Sequence, residues 1–193
     1  MTSVAKGTMY LMVSQLVFML SGYAIHFGLG RYLGPESYGI FGVVIYLMTT
    51  VNLILTSGFP SAASKYIAEK NNVGSIMRVS KKINIILSML VFIVYLSLSK
   101  NIALIFNDIS LLPYIRMTAL GIPFYTFYTL YGGFLNGFRL FGKQAIIQVI
   151  SSISKVFFAF FLVLFGFKIY GAIGAYIIAA FIGFIIAYHY TPK

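Results

Sequence analysis

The sequence predicts an all-α fold, a polytopic membrane helix bundle with six transmembrane helices. Hydrophobic residues make up 60% of the chain and charged residues only 9%, whereas a soluble domain is about 45–50% apolar and about 25% charged. The charges lie between long uncharged runs, most of which reach the ~20 residues that a helix needs to cross a bilayer. These runs are uniformly apolar rather than alternating, which argues against a membrane β-barrel.

The first three helices follow from the positions of the charges. Between Lys6 and Arg31 lie 24 uncharged residues, and between Glu36 and Lys65 lie 28. The third run begins after Lys82, and its apolar character continues to residue 106. We therefore expect helices near 8–30, 38–60 and 83–106.

The last three helices are defined in the same way. The run from Arg116 to Arg139 encloses 22 uncharged residues, and 24 follow Lys168 before the final lysine. The run between Lys143 and Lys168 has one interruption, Lys155. We expect helices near 113–137, 144–167 and 169–189, with a kink at Pro123, because proline removes a backbone donor. Residues 1–193 then form a single six-helix domain.

The distribution of basic residues predicts the orientation in the membrane. If the N-terminus is cytoplasmic, nine basic residues fall on cytoplasmic segments and four on outer ones, as the positive-inside rule requires. We therefore expect a multi-pass protein of the cell membrane with both termini in the cytoplasm and a basic, amphipathic connection over 61–82. The net charge of +11 is dispersed between apolar runs, which suits anionic lipid headgroups and argues against a nucleic-acid partner.

A polar stripe runs along the fifth expected helix. It comprises Gln144, Gln148, Ser151 and Lys155, spaced by four, three and four residues and so on one face. Lys155 lies about 16 Å along this helix from Gln144. The chain has only three acidic residues, all in expected connections, so none is placed to pair with Lys155 inside the membrane. An unpaired charge at that depth is costly and indicates a functional site.

Three other helices carry similar polar lines. The members are Thr8, Gln15, Gly22 and His26 on the first helix, Thr49, Asn52 and Thr56 on the second, and Tyr125, Tyr128, Gly132 and Asn136 on the fourth. We expect them to enclose a wet cavity that opens toward the cytoplasm. Its candidate binding residues are Lys155, Gln148, Gln144, Ser151, Gln15, Asn52 and His26. The alternative is that these side chains join helices through hydrogen bonds, and that His26, near the outer interface, is merely hydrogen-bonded.

Catalytic and metal-binding patterns are missing from the sequence. It contains no cysteine, and its two histidines and three acidic residues are scattered without the spacing of a metal site or catalytic triad. We expect no enzyme activity, no cofactor and no metal.

Residues 31–39, RYLGPESYG, resemble the R-x-LGPE-x-YG turn of the polysaccharide biosynthesis and export family. The matching positions are Arg31, Gly34, Pro35, Glu36, Tyr38 and Gly39. Residues 58–68 and 132–148 resemble later parts of the same family. Locally, Pro35 fixes φ and starts a turn, so we expect the motif to form a tight outer hairpin rather than to contact substrate.

The resemblance implies a lipid-linked oligosaccharide flippase of the multidrug/oligosaccharidyl-lipid/polysaccharide exporter superfamily. Such proteins have two six-helix lobes around a central cavity, and this chain resembles the first lobe. The implied activity is movement of a polyprenyl-linked glycan across the membrane by alternating access, with a second lobe supplied by a separate chain or by another copy. The alternatives are a multidrug exporter of the same superfamily and a non-transporting subunit or truncated half-protein.

Overall fold

The computed structural model describes residues 3–69 and 72–192. This part of the chain is helical and contains no strand, which confirms the all-α membrane bundle. The helices are α1 (Ser3–Thr56), α2 (Phe59–Ala68), α3 (Val73–Ile105), α4 (Leu112–Ala119), α5 (Gly121–Gly137), α6 (Phe141–Leu162) and α7 (Lys168–Tyr190). A 3-10 turn, Ile109–Leu111, precedes α4, and a π-helical turn, Val163–Phe167, links α6 to α7.

Helix α1 turns back on itself at Gly34. This residue has φ 75° and ψ 166°, a left-handed value that favours glycine because it has no Cβ. Pro35 then starts the second segment, where its missing N–H removes no helical hydrogen bond. The reversal brings the His26 Nδ1 atom within 3.0 Å of the Tyr38 hydroxyl. Hence α1 contributes two segments, 3–33 and 35–56, and the second begins three residues before the expected position 38.

The basic connection over 61–82 contains helical structure of its own. A break at Gly58 (φ 92°) ends α1 before the expected residue 60, and α2 buries Ala63 and Ile67 while Lys65 stays exposed. Helix α3 begins ten residues before the expected position 83, because apolar side chains such as Met77 already pack inward there. Its first turns therefore carry part of the basic charge.

The remaining helices show two departures from regular geometry. The helix expected over 113–137 is interrupted at Leu120, where Pro123 has no N–H to bond the carbonyl of Ala119. The helix expected over 144–167 begins at Phe141 and passes into the π-helical turn, in which Gly166 has φ 92°. The chain then reverses into α7.

The bundle has two ends, which we call the termini end and, beside the Gly34 turn, the far end. At the termini end, α1 starts beside α6, since a Cβ on Gly7 would clash with the Phe141 ring. At the far end, beside the Gly34 turn, the rings of Tyr32 and Phe160 lie 6.3 Å apart. Most of the largest apolar cluster occupies the far half. Its fully buried members include Ile25, Leu29, Phe41, Val44, Ile115 and Ile173.

The outer surface of the bundle is apolar. Leu20 is 66% exposed and Tyr46 is 78% exposed, as suits side chains that face lipid. Three continuous helical stretches, Ala5–Ala68, Val73–Ile105 and Phe141–Tyr190, are long and apolar enough to cross a membrane. The first and last of these reverse once, at Gly34 and at Gly166.

Candidate binding cavity

A cavity of about 570 Å³ occupies the termini half of the bundle. Both segments of α1, together with α2, α5, α6 and α7, contribute to its walls. The lining includes Gln15, Asn52, Gln144, Gln148, Ser151 and Lys155. Each of the four polar lines predicted from the sequence contributes to this lining, although the first helix contributes only Gln15 of its line.

His26 lies outside this cavity, contrary to expectation. It is on the same side of α1 as Gln15 but eleven residues further along, which is about 16 Å toward the far end. There its Nδ1 atom lies 3.0 Å from the Tyr38 hydroxyl, and the centre of its ring lies 6.2 Å from the centre of the Phe41 ring. His26 therefore links the two segments of α1 beside the turn.

The turn motif is also remote from the cavity. Gly34 supplies the positive φ, Pro35 starts the returning segment, and Glu36 is exposed to the surroundings. The Arg31 guanidinium lies 4.6 Å from the centre of the Phe27 ring. Gly39, one residue after the Tyr38 that bonds His26, is exposed as well.

Lys155 reaches the deep part of the cavity between two aromatic rings. Its Nζ atom lies 4.6 Å from the centre of the Phe18 ring on α1 and 5.1 Å from that of Tyr176 on α7. Aromatic faces attract a cation, most strongly where water is excluded. No carboxylate is present among the described residues that line the cavity. The cavity is therefore cationic.

Two members of the α6 stripe are committed to neighbouring helices. The Gln148 Oε1 atom accepts a hydrogen bond from Ser14 Oγ at 3.0 Å, and Gln148 Nε2 donates to Gln15 Oε1 at 2.9 Å. Ser151 Oγ donates to the Ala179 carbonyl at 3.0 Å. These bonds connect α6 to α1 and to α7, which is the helix-joining role that the sequence left open.

Two further carboxamides in the lining have an oxygen that is not committed to a hydrogen bond. Asn52 is only 3% exposed, and its Oδ1 atom has no hydrogen-bond partner among the described residues. The Gln144 Oε1 atom is buried and unpartnered in the same way. A buried acceptor without a donor costs about 1–3 kcal/mol. Both residues line the cavity, so a rotation of the terminal amide is the movement that brings either oxygen to water or a ligand.

Several cavity residues were not predicted from the sequence. Phe18 follows Gln15 by three residues on the same face, so its position was available from the helical period. Tyr176 gave no comparable signal, because its role depends on which helix packs beside it. The same holds for Ser14, which is outside the lining but bonds Gln148. The cavity face of α2 includes Ser61 and Ser64, which lie in the segment 61–82 that was expected to be a connection.

A buried polar stripe on α3 was also missed. Its members recur along one side of the helix and comprise Ser80, Asn84, Ser88, Tyr95 and Ser99. The Tyr95 hydroxyl lies 3.2 Å from Thr118 Oγ1 on α4. This stripe packs against neighbouring helices rather than against the cavity.

The fold closely resembles that of solved transporters. A MATE protein in the straight conformation matches with a TM-score of 0.86 and 20% identity, over 96% of this chain and 44% of that one. A MOP superfamily transporter from Pyrococcus furiosus matches with a TM-score of 0.79, 20% identity and the same coverage. An outward-facing multidrug resistance MATE family transporter matches with a TM-score of 0.75 and 19% identity, over 95% and 44% of the two chains. This chain thus spans less than half the length of these structures.

Sequence comparison identifies the family. No significant match is found among curated proteins. The family described as polysaccharide biosynthesis protein, however, matches residues 4–193, nearly the whole chain. This agrees with the resemblance carried by the turn motif at residues 31–39. The chain belongs to the polysaccharide biosynthesis protein family.

Proposed function

We propose that this chain forms the first lobe of a transporter that moves a lipid-linked oligosaccharide or polysaccharide precursor across the cell membrane by alternating access. The observation that carries this proposal is Lys155, a cation in a membrane-embedded cavity whose described lining contains no carboxylate. Burial of a charge without a partner is costly. A diphosphate headgroup supplies the missing negative charge, while its polyprenyl tail stays in the bilayer.

The charge of the cavity favours an anionic substrate over a cationic drug. For the Pyrococcus furiosus transporter, reverse polarity of the binding pocket suggests a different function. Pocket polarity is therefore a reasonable guide to substrate class within this fold. Here the lysine repels cations and attracts phosphate, to which it can donate charge-assisted hydrogen bonds.

A multidrug exporter is the second candidate. The aromatic side chains that line the cavity, among them Phe18, Tyr125 and Tyr176, favour flat apolar molecules, and a multidrug resistance transporter has a similar fold. Export of cationic dyes by the assembled protein would support this candidate. The lysine between two of those rings argues against it.

A second lobe and a defined orientation are part of the proposal. The chain spans 44% of the length of its structural neighbours, and a polar cavity in one lobe requires cover from lipid. We propose a partner lobe, either a separate chain or a second copy, and cytoplasmic termini. Single cysteines at Ser75 and Ser110, both exposed, should react with an impermeant maleimide from opposite sides. Labelling of both from outside would contradict the orientation.

Transport should be tested on the complex purified from its native membrane and reconstituted in vesicles. We expect Lys155→Ala to lower flipping of a fluorescent polyprenyl-diphosphate glycan at least about tenfold. Lys155→Arg should keep part of the rate, because arginine also binds phosphate. Lys100→Ala, an exposed lysine outside the cavity lining, is the matched control.

The amount of assembled complex must be measured beside the transport rate. If Lys155 instead pairs with a carboxylate on the partner lobe, the alanine variant leaves that carboxylate buried and unpaired, and assembly falls first. Full flipping by Lys155→Ala would refute the proposal. Dye export without lipid flipping would favour the multidrug candidate.

A further inference from the structure

The uncommitted groups of the cavity lie at two different levels. Asn52 is four residues before the end of α1 at Thr56, and Gln144 is three residues after the start of α6 at Phe141, so both lie near the termini end. Lys155 is eleven residues beyond Gln144 on the same helix, which is about 16 Å along its axis. The carboxamides and the cation are therefore separated along the cavity.

The two levels differ in the chemistry that they can recognise. A lysine ammonium only donates hydrogen bonds, whereas a carboxamide both donates and accepts. An ionised phosphate accepts only, so it cannot satisfy the buried carbonyl oxygens of Asn52 and Gln144. A sugar hydroxyl donates and accepts, and it matches a carboxamide in either orientation of the amide.

Other polar side chains of the cavity lining do not share this property. Gln148 and Ser151 already bond to α1 and α7. Thr49 Oγ1 donates to the carbonyls of Ile45 and Tyr46 on its own helix, at 2.8 and 3.0 Å. Asn52 and Gln144, by contrast, keep buried acceptors that no described residue satisfies.

We propose that Asn52 and Gln144 form a sugar-hydroxyl subsite, distinct from the anion subsite at Lys155. The substrate then lies in the cavity with its diphosphate deep, against Lys155, and its sugar toward the termini end. This inference rests on the proposed function and deepens it, because it assigns the polarity with which a glycan diphosphate enters. It also makes the carboxamides the residues that distinguish a glycosylated lipid from a bare lipid diphosphate.

Two short-chain probes test the inference on the complex purified from its native membrane and placed in lipid nanodiscs. They are farnesyl diphosphate, which has no sugar, and farnesyl-diphospho-N-acetylglucosamine. We expect Asn52→Leu and Gln144→Leu each to weaken binding of the glycosylated probe about tenfold and to change that of farnesyl diphosphate by less than about twofold. Lys155→Ala should weaken both probes to a similar degree. Thr50→Val, which alters a hydroxyl of the same helix that lies outside the cavity lining and already bonds the Tyr46 carbonyl at 2.8 Å, should leave both affinities unchanged.

The outcomes distinguish failure of the subsite from failure of the proposed function. Equal weakening of both probes by the carboxamide variants, or no weakening of the glycosylated probe, overturns the sugar subsite while Lys155→Ala can still support the proposed function. Failure of the unmodified complex to bind either probe, or indifference of both probes to Lys155→Ala, refutes the proposed function and the subsite with it. Gln144 is only half-buried, so Gln144→Leu keeps the test decisive if Asn52→Leu does not fold.

Discussion

The two halves of the bundle differ in what lies between their helices. In the far half, bulky apolar side chains such as Phe41 and Ile115 are fully buried and interlock. The termini half has a smaller apolar cluster, in which Leu130, Phe134 and Leu135 are fully buried. Its helices also leave between them a cavity of about 570 Å³. Rearranging a close-packed interior is costly, so the far half is suited to remain rigid. The termini half, which contains the cavity, is suited to bind a ligand.

The largest loss of stability should come from the far half. We expect Phe41→Ala to lower the free energy of unfolding by about 3–5 kcal/mol, because it removes a fully buried ring and leaves a void. The measurement is an SDS titration of the purified chain followed by circular dichroism. Phe157→Ala is the control, since that ring is 57% exposed on the outer surface and its loss leaves no internal void. Equal losses for the two variants would mean that burial of the Phe41 ring is not the cause.

An intermediate effect is expected where α5 packs on α2. A Cβ on Gly137 would lie 2.7 Å from the Ser64 carbonyl oxygen, whereas one on Gly132 would meet nothing within 4 Å. Gly137→Ala should therefore separate α5 from α2 and destabilise the protein by about 1–3 kcal/mol. Gly132→Ala, on the same helix, should be close to neutral in the same titration. Destabilisation by Gly132→Ala of similar size would mean that helix spacing is not the cause.

The sequence predicted that the polar lines face a shared cavity. It did not predict which of their residues bond to neighbouring helices and which do not. Helical period alone placed Gln144, Gln148, Ser151 and Lys155 on one face, and all four line the cavity. The period does not reveal that Ser14 lies opposite Gln148, because that depends on the relative rotation of two helices far apart in sequence. A bonded glutamine and a free one therefore look alike in the sequence.

The sequence also did not show how far along each helix the cavity extends. His26 shares a side of α1 with Gln15, so its angular position was consistent with the cavity. The turn at Gly34 instead brings Tyr38 within hydrogen-bond distance of the His26 ring. An angular pattern does not say where along a helix a cavity ends. The charge pattern was similarly limited at α3, which begins among residues that were expected to form a connection.

The smallest effect compares two glutamines on one helix. Gln148→Leu removes the bonds to Ser14 and Gln15 that connect α6 to α1. The single hydroxyl proton of Ser14 has another acceptor in reach, the Leu11 carbonyl at 2.8 Å, so no buried donor is stranded. The loss should be about 0.5–1 kcal/mol, typical of interhelical bonds in membranes.

Gln144→Leu is the matched comparison for that variant. It removes an acceptor that has no partner among the described residues, and it should leave the free energy of unfolding unchanged or raise it slightly, because an unsatisfied buried group is lost. SDS titrations of both variants decide the point. If Gln144→Leu proved the more destabilising, Gln144 would be a structural residue. The claim that Gln148 joins helices whereas Gln144 binds ligand would then be wrong. If Gln148→Leu is the more destabilising, as we expect, then Gln148 contributes to stability and Gln144, on the same polar stripe, is left to contribute to binding.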